Sequence, residues 1–527
     1  MIQKLIETED KIKSFLSPLR KKGTISDITF SKLVPTGSQP GRMYGLCKVH
    51  KDSVDGCKPF RPILSALNTP TYELSKFLIP ILEPLTKNMY ITKDSFSFAE
   101  DIRKQNKEYF MVSYDVTSLF TNIPLDEVIN ICITRLFPHE DTVINGLRKG
   151  EFASLLKLAT KESLFIFNGK YYTQIDGVAM GSPLGPTLAN IFLCYYEEKW
   201  LEACPKQFKC NYYTRYVDDV FCLFEHENQV NKFHHYISSR HPNINFSKEI
   251  EVNSSLSFLD VNIKRESNSF ITSLYRKPTF SGLYMHYESH APLTYKKGLI
   301  LCLMHRIYTI CTNWELIHVE IQHLKCTLLK NKYPISFINK SINLFLEKLF
   351  VKKQKIVSVP KREFIICLPF LGSQSRIVST KLKKLFSSVF PAYKIKFIIK
   401  PGMKLANLFS FKDKLSHKCL SNVVYKFSCS DCNVTYIGKT TRHLKVRMCE
   451  HLGVSHITGK VRKFHPDQDT AIRKHLRESG HNSNMDNFKI ISRAKYDFDL
   501  TIKESILIGR EKPVLNKQVK TFQLALF

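Results

Sequence analysis

The spacing of apolar residues divides the chain into recognisable strands and helices. Phe110-Met111-Val112-Ser113-Tyr114-Asp115 is an apolar run that ends in a carboxylate and predicts a strand. Tyr212 to Phe224 is two β-rich runs on either side of Asp218-Asp219, which predicts a hairpin with acids at its tip. Between these lies Gly177-Val178-Ala179-Met180-Gly181-Ser182-Pro183-Leu184-Gly185-Pro186, a tight loop where backbone can approach a ligand. A helix follows it, with Leu188, Ile191, Phe192 and Tyr195 on one face. Val423-Val424-Tyr425 and Tyr436-Ile437-Gly438 frame a second, short hairpin. Arg442 to His451 reads as a helix with Arg447 and His451 on one face, and Ile502 to Ile508 is a further helical pattern carrying a lone Glu504. No apolar run approaches the roughly 18–20 residues that span a bilayer.

Composition narrows the class. A chain of 527 residues with 43% apolar and 12% aromatic positions can bury sizeable cores, which excludes a disordered or fibrous protein. At roughly 150 residues per domain it holds two to four domains. Lys and Arg number 78 against 47 Asp and Glu, a net +31, so a polyanion is the expected partner: nucleic acid first, an anionic membrane surface second. The charge concentrates between Lys352 and Lys418, where 16 basic residues face two acids around short apolar runs such as Phe364–Phe370. That segment reads as a basic connector with some packed structure, or more plainly as a solvated surface. Fifteen scattered cysteines, an odd number, fit a reducing compartment, and Met1 to Arg20 lacks a signal-peptide core.

Three residue sets carry chemistry. Asp-Asp in a turn is usually solvated, but Asp218 and Asp219 joined by Asp115 from another strand can hold two Mg²⁺ ions, which would activate a 3′-hydroxyl and stabilise leaving pyrophosphate. Tyr, Arg, His and one Glu near the C-terminus suit phosphodiester hydrolysis: a phenol orients water, Arg447 holds the phosphate, and a carboxylate holds one Mg²⁺. Cys429, Cys432, His475 and His481 have spacers that suit a closed, structural tetrahedral Zn²⁺ site; core cysteines and surface histidines are the plainer alternative.

The order of Asp115, the Gly-Ser-Pro loop and Tyr216-Val217-Asp218-Asp219 resembles a reverse transcriptase. Tyr44 to Lys51, Arg61 to Ser65, Phe258 to Val261 and Leu274 to Thr279 resemble Penelope-like retroelements, and the terminal set resembles the GIY-YIG endonucleases these elements carry. The similarity covers nearly all of residues 40 to 520. It implies an α+β fold, a right-hand polymerase with an antiparallel-sheet palm followed by a small α/β nuclease domain. The layout would be a short N-terminal segment (1–39), brief enough for the family to suggest truncation, then fingers and palm (40–285), helical thumb (286–350), basic connector (351–418) and endonuclease with a zinc-binding insert (419–520).

The resemblance also implies roles. Asp115 and Asp218 would bind both polymerase metals, with the Val116 carbonyl completing one site and Asp219 assisting. Lys48, Lys51 and Arg61 would meet the triphosphate, although each alone is an ordinary surface charge. Met180 and Gly181 would border the nucleotide, Met180 standing where many retroviral enzymes carry Gln. Tyr275, Arg276 and Lys277 would grip the primer. Phe120, otherwise a core residue, would face the sugar and select deoxynucleotides. Tyr425, Tyr436, Arg447, His451, Glu504 and Asn516 match the nuclease positions, with Val423-Val424 replacing the leading Gly-Ile. The expected function is RNA-directed DNA synthesis primed by a nick the same protein makes, in the nucleus, with an RNA template, a DNA target and primer, and dNTPs as partners. The rivals are a non-catalytic or domesticated nucleic-acid-binding protein and an RNA-dependent RNA polymerase; a telomerase-like enzyme would share the palm without this terminal unit.

Overall fold

The computed structural model describes residues 2–49, 55–105, 108–266, 269–350, 362–372, 374–391, 393–400, 408–409, 413–461 and 469–516. The chain opens with helices α1 (Ile2–Lys21) and α2 (Asp27–Leu33), then strands β1 (Gly41–Cys47) and β2 (Phe60–Ser65) and helices α3 (Tyr72–Leu82) and α4 (Ser95–Ile102). Strand β3 (Phe110–Val116) leads to α5 (Leu119–Asn122) and α6 (Leu125–Leu136), the two-residue strands β4 (Val143–Ile144) and β5 (Leu147–Arg148), and α7 (Lys149–Lys161). Next come β6 (Leu164–Phe167), β7 (Lys170–Thr173), α8 (Gly185–Glu202), β8 (Tyr212–Tyr216), β9 (Asp219–Phe224), α9 (Glu227–Ser238) and β10 (Phe246–Ile250).

Two four-stranded sheets organise this region, ordered β2-β1-β6-β7 and β10-β3-β9-β8. The second is antiparallel throughout. One face of β3, Val112, Tyr114 and Val116, packs with Val128 of α6 and Leu188 and Phe192 of α8 in the largest core. Ile12, Leu16 and Leu19 of α1 join the same core, so residues read only as a short leading segment are an amphipathic helix sealed onto it.

A separate three-stranded sheet follows, made of β11 (Ser255–Phe258), β12 (Val261–Arg265) and β13 (Phe270–Leu274). Helices α10 (Leu293–Ile310), α11 (Trp314–Lys330) and α12 (Ile335–Phe350) follow and share a separate core of Ile300, Met304, Ile307, Leu324, Leu328 and Ile342. The basic segment is partly folded: β14 (Arg362–Pro369), α13 (Gln374–Val389) and β15 (Tyr393–Lys400) form a parallel β-α-β unit. The stretches 351–361 and 401–407 of that segment lie outside the described residues.

The last unit is β16 (Val423–Ser428), β17 (Thr435–Thr440), α14 (Leu444–Leu452), α15 (Ala471–Ser479), β18 (Phe488–Arg493) and α16 (Asp497–Glu511), with an antiparallel sheet ordered β17-β16-β18. The helix expected from Arg442 starts at Leu444, because His443 is the extended N-cap and its ring is fully buried. Among the described residues no helix is long and apolar enough to cross a membrane.

Candidate functional site

The palm hairpin delivers its acids as the apolar pattern requires. Strands β3 and β9 pair in register with Asp115 opposite Asp219, and Tyr216 of β8 also faces Asp219. Only Val217 and Asp218 lie between the hairpin strands. Val217 has φ 56°. Such a two-residue turn, with positive φ at its first position, ordinarily takes glycine there, and a β-branched residue costs about 1–3 kcal/mol. The turn is held by the Val116 amide donating to Asp218 O at 3.0 Å and by Arg215 Nη1 donating to Val217 O at 2.8 Å. Burial, followed by the charges of Asp218 and Asp115, pushes the Asp219 carboxyl up to about 6, against the pull of Lys277. A buried carboxyl that resists ionisation beside two further acids suits Mg²⁺, which would offset both the burial and the repulsion; the residues fit the metal.

The glycine-rich loop meets both α5 and β2. The Val178 amide donates to Phe120 O at 2.7 Å, and the Leu64 amide of β2 donates to Met180 O at 2.8 Å. Gly181 has φ 120°, and a Cβ there would lie 2.4 Å from Leu64 O. Phe120 is half-buried beside this loop, its ring 3.8 Å from where a Cβ on Gly185 would sit. Lys48 and Arg61 come together at the end of the β1–β2 ladder, where Leu46 faces Arg61 and the Lys48 amide donates to Pro59 O. Lys51 lies outside the described residues. The 275–277 segment is shared between tasks. The Tyr275 amide donates to Asp260 O at 2.9 Å, and Lys277 acts on Asp219. Arg276 instead forms a two-pronged ion pair with Glu320 of α11 (Nη1 to Oε1, 3.0 Å), which ties the strand to the following helices.

In the terminal unit, Tyr425 and His451 are buried and joined, phenol oxygen to Nε2, at 2.6 Å. Burial and the Arg447 charge hold the His451 ring down to about 3, so it is neutral at pH 7. With Nδ1 donating to Thr470 Oγ1 (2.9 Å), Nε2 can accept the phenol proton. Arg447 Nε donates to the Tyr425 oxygen at 3.2 Å, and its Nη1 donates to Glu450 at 3.0 Å. Burial raises the Glu504 carboxyl against the pull of Lys439; burial also raises the Tyr425 and Tyr436 phenols, with a smaller push from the Glu504 charge and an opposing pull from Arg447. Gly438 is needed for contact: a Cβ there would lie 2.7 Å from the Tyr425 oxygen and from the Tyr436 ring. The Asn516 amide is spent on backbone, accepting from Ile437 N at 2.9 Å and donating to Ile437 O at 2.7 Å.

The four ligand atoms of Cys429, Cys432, His475 and His481 lie within 4.8 Å of one another. Cys429 Sγ is 3.6 Å from His481 Nδ1, and Cys432 Sγ is 3.4 Å from His475 Nε2. A tetrahedron with bonds of about 2.0–2.3 Å has edges of about 3.5 Å, so the set fits a four-coordinate metal.

Residues 49–259 match the family model described as reverse transcriptase (RNA-dependent DNA polymerase). Over those residues the chain resembles a reverse transcriptase domain. Residues 283–343, which hold α10, α11 and most of α12, match a second model, the animal helix-turn-helix domain. No curated protein matches the chain. Among solved structures, Candida albicans telomerase in complex with a telomeric RNA fragment is 10% identical with a TM-score of 0.40, over 58% of this chain and 61% of that one. The Sicinivirus 3Dpol RNA-dependent RNA polymerase is 12% identical with a TM-score of 0.37, over 61% of this chain and 71% of that one. Both likenesses are distant and add nothing to the family match.

Sequence reasoning missed the buried Arg215–Glu197 pair and the action of Lys277 on Asp219. Glu197 could have been found: it lies three residues after Cys194 on the buried face of α8. Arg215 offers no such signal, since its partner is 18 residues away on another element.

Proposed function

We propose that the chain is an RNA-directed DNA polymerase of the Penelope-like kind, fused to a DNA-nicking endonuclease of the GIY-YIG type. The observation that carries the polymerase reading is the register of β3 against β9, which sets Asp115 beside Asp219 with Asp218 at the turn. Asp115, the Val116 carbonyl and Asp218 would hold two Mg²⁺ ions, which polarise the primer 3′-hydroxyl and stabilise pyrophosphate when bound. Lys48 and Arg61 meet the triphosphate, Phe120 and the 177–185 loop bound the sugar, and Tyr275 and Lys277 set the primer end.

In the nuclease, neutral His451 accepts the Tyr425 hydrogen bond and orients the phenol, Arg447 binds the scissile phosphate, and Glu504 would hold one Mg²⁺. The Cys429, Cys432, His475, His481 set takes Zn²⁺ as a structural ion. The substrates are an RNA template, a DNA target whose nick becomes the primer, and dNTPs; the site of action is the nucleus.

The test separates the two activities. The parent protein extends a primed RNA template with dNTPs, and Asp218→Asn lowers this at least 100-fold while nicking persists. Glu504→Ala makes no product on intact duplex DNA, and a pre-made nick restores synthesis. Initiation on intact duplex by Glu504→Ala at the parent rate would separate the nuclease from priming.

A further inference from the structure

Beneath the catalytic turn lies a buried charge pair that the polymerase reading does not use. Arg215, on β8, is 1% exposed, and Glu197, on α8, is 2% exposed. The guanidinium has five N–H donors, and each has an acceptor. Nε reaches Glu197 Oε1 at 2.5 Å, and Nη2 reaches Glu197 Oε2 at 3.0 Å and Cys194 Sγ at 3.6 Å. Nη1 reaches Asn190 Oδ1 at 2.9 Å and Val217 O at 2.8 Å. Glu197 is itself held by Tyr213 Oη at 2.7 Å and Asn88 Nδ2 at 3.3 Å.

A buried ion pair is a poor device for stability, because apolar residues of similar volume often do as well. What this pair supplies is geometry. Three of its partners, Asn190, Cys194 and Glu197, stand on α8, whose first turn leaves the 177–185 loop. The fourth is the carbonyl of Val217, the residue in left-handed backbone immediately before Asp218. One planar group thus joins the nucleotide loop's helix to the turn that aims the acids.

We propose that Arg215 is a positioning residue for polymerisation: by holding the Val217 carbonyl from a frame fixed on α8, it keeps the turn in its left-handed form and sets Asp218 and Asp219 against Asp115. Lysine cannot replace it, since one ammonium with three donors at the end of a flexible stem cannot reach Glu197, Asn190 and Val217 together. Glycine at 217 would adopt the same backbone unaided.

The inference rests on the polymerase reading, and the experiment reads the two apart. Full-length parent, Arg215→Lys and Arg215→Lys with Val217→Gly are compared by circular dichroism, by Mn²⁺ binding in electron paramagnetic resonance titrations, and by dNTP incorporation on a primed RNA template. Arg215→Lys is expected to fold, to bind Mn²⁺ about tenfold more weakly, and to lose kcat by 10- to 100-fold with little change in KM for dNTP. Adding Val217→Gly is expected to recover at least tenfold of the lost kcat and most of the Mn²⁺ affinity. Where Arg215→Lys does not fold, Arg215→Met with Glu197→Leu keeps the core apolar, and the same losses and the same rescue are expected there. Parent-level Mn²⁺ binding in the folded variant, or a loss that Val217→Gly does not relieve, overturns the proposal and leaves Arg215 a core residue. A parent protein that binds Mn²⁺ but incorporates no dNTP overturns the polymerase reading instead, and the Mn²⁺ titrations still decide the role of Arg215.

Discussion

Phe120 shows how a single side chain acquires a role from its neighbours. It follows Ser118, whose φ of 53° turns the chain sharply after β3, and the turn brings its ring beside the 177–185 loop rather than into the centre of the core. Replacing it with alanine removes bulk where a 2′-hydroxyl would lie. Phe120→Ala is therefore expected to raise incorporation of ribonucleotides relative to deoxynucleotides at least tenfold, measured as the ratio of kcat/KM values. An unchanged ratio in an active enzyme would make Phe120 core alone. Arg276 illustrates the converse: its fork is closed on Glu320, so it braces the 275–277 segment against α11, while Lys277 acts on Asp219.

Among elements, the glycine-rich loop and the zinc-type knot do comparable work, since each fixes a crossing that no regular ladder covers. Gly181 lets the loop pass under Leu64 of β2 at a distance that admits no Cβ. Gly181→Ala combines a positive φ with a backbone collision, so it should destabilise by on the order of 3 kcal/mol or more and uncouple the fingers strand. Thermal melting and dNTP incorporation read the two effects, and a stable, active Gly181→Ala would mean the loop is free to move. In the terminal unit the apolar core is small, and the Cys429, Cys432, His475, His481 set joins the end of β16 to the helix α15. Metal bound there contributes folding free energy directly. A strong chelator should lower the melting transition of residues 419–516 by more than about 10 °C and leave the palm transition in place; calorimetry with and without chelator, and metal analysis of the untreated protein, check this.

Across the whole molecule, α1 is a strut between the large core that holds β3 and the terminal unit. Its Glu9 carboxylate accepts from Ser38 N at 2.7 Å and faces Nε2 of the buried His443 at 3.3 Å, while Asp10 faces His456 at 3.5 Å. Ser421 Oγ also donates to Gly37 O at 2.7 Å. Burial works against a charged His443, but Glu9 and the Cys419 carbonyl more than offset it, so its pKa is raised above 6.5. The sign follows: the ion pair stabilises the junction fully below the unfolded pKa near 6.5, and that contribution is lost as pH rises through the higher folded value. Hydrogen-exchange protection factors of residues 2–21 and 443–452 should therefore fall as pH rises above the unfolded value near 6.5, and His443→Gln should remove the dependence. Protection that is flat with pH in the parent would mean Glu9 holds Ser38 alone.

The region that matches the reverse transcriptase model was legible because its candidate chemistry rides on local periodicity. The apolar run to Asp115, the paired runs around Asp218 and the glycine-rich loop each declare an element and a functional residue together, and strand alternation alone predicts the hairpin. The Cys and His spacers likewise announced a four-ligand set. The amphipathic spacing of Ile12, Leu16 and Leu19 was also present in the chain, but only the packed palm says what that face covers. Tertiary structure alone decided that Arg215 stands under the turn, that Arg276 closes on Glu320, and that His443 meets Glu9. Each of these depends on a charge finding its partner across elements, between 18 and more than 400 residues apart, and periodicity carries no information about pairs set by how packed elements cross.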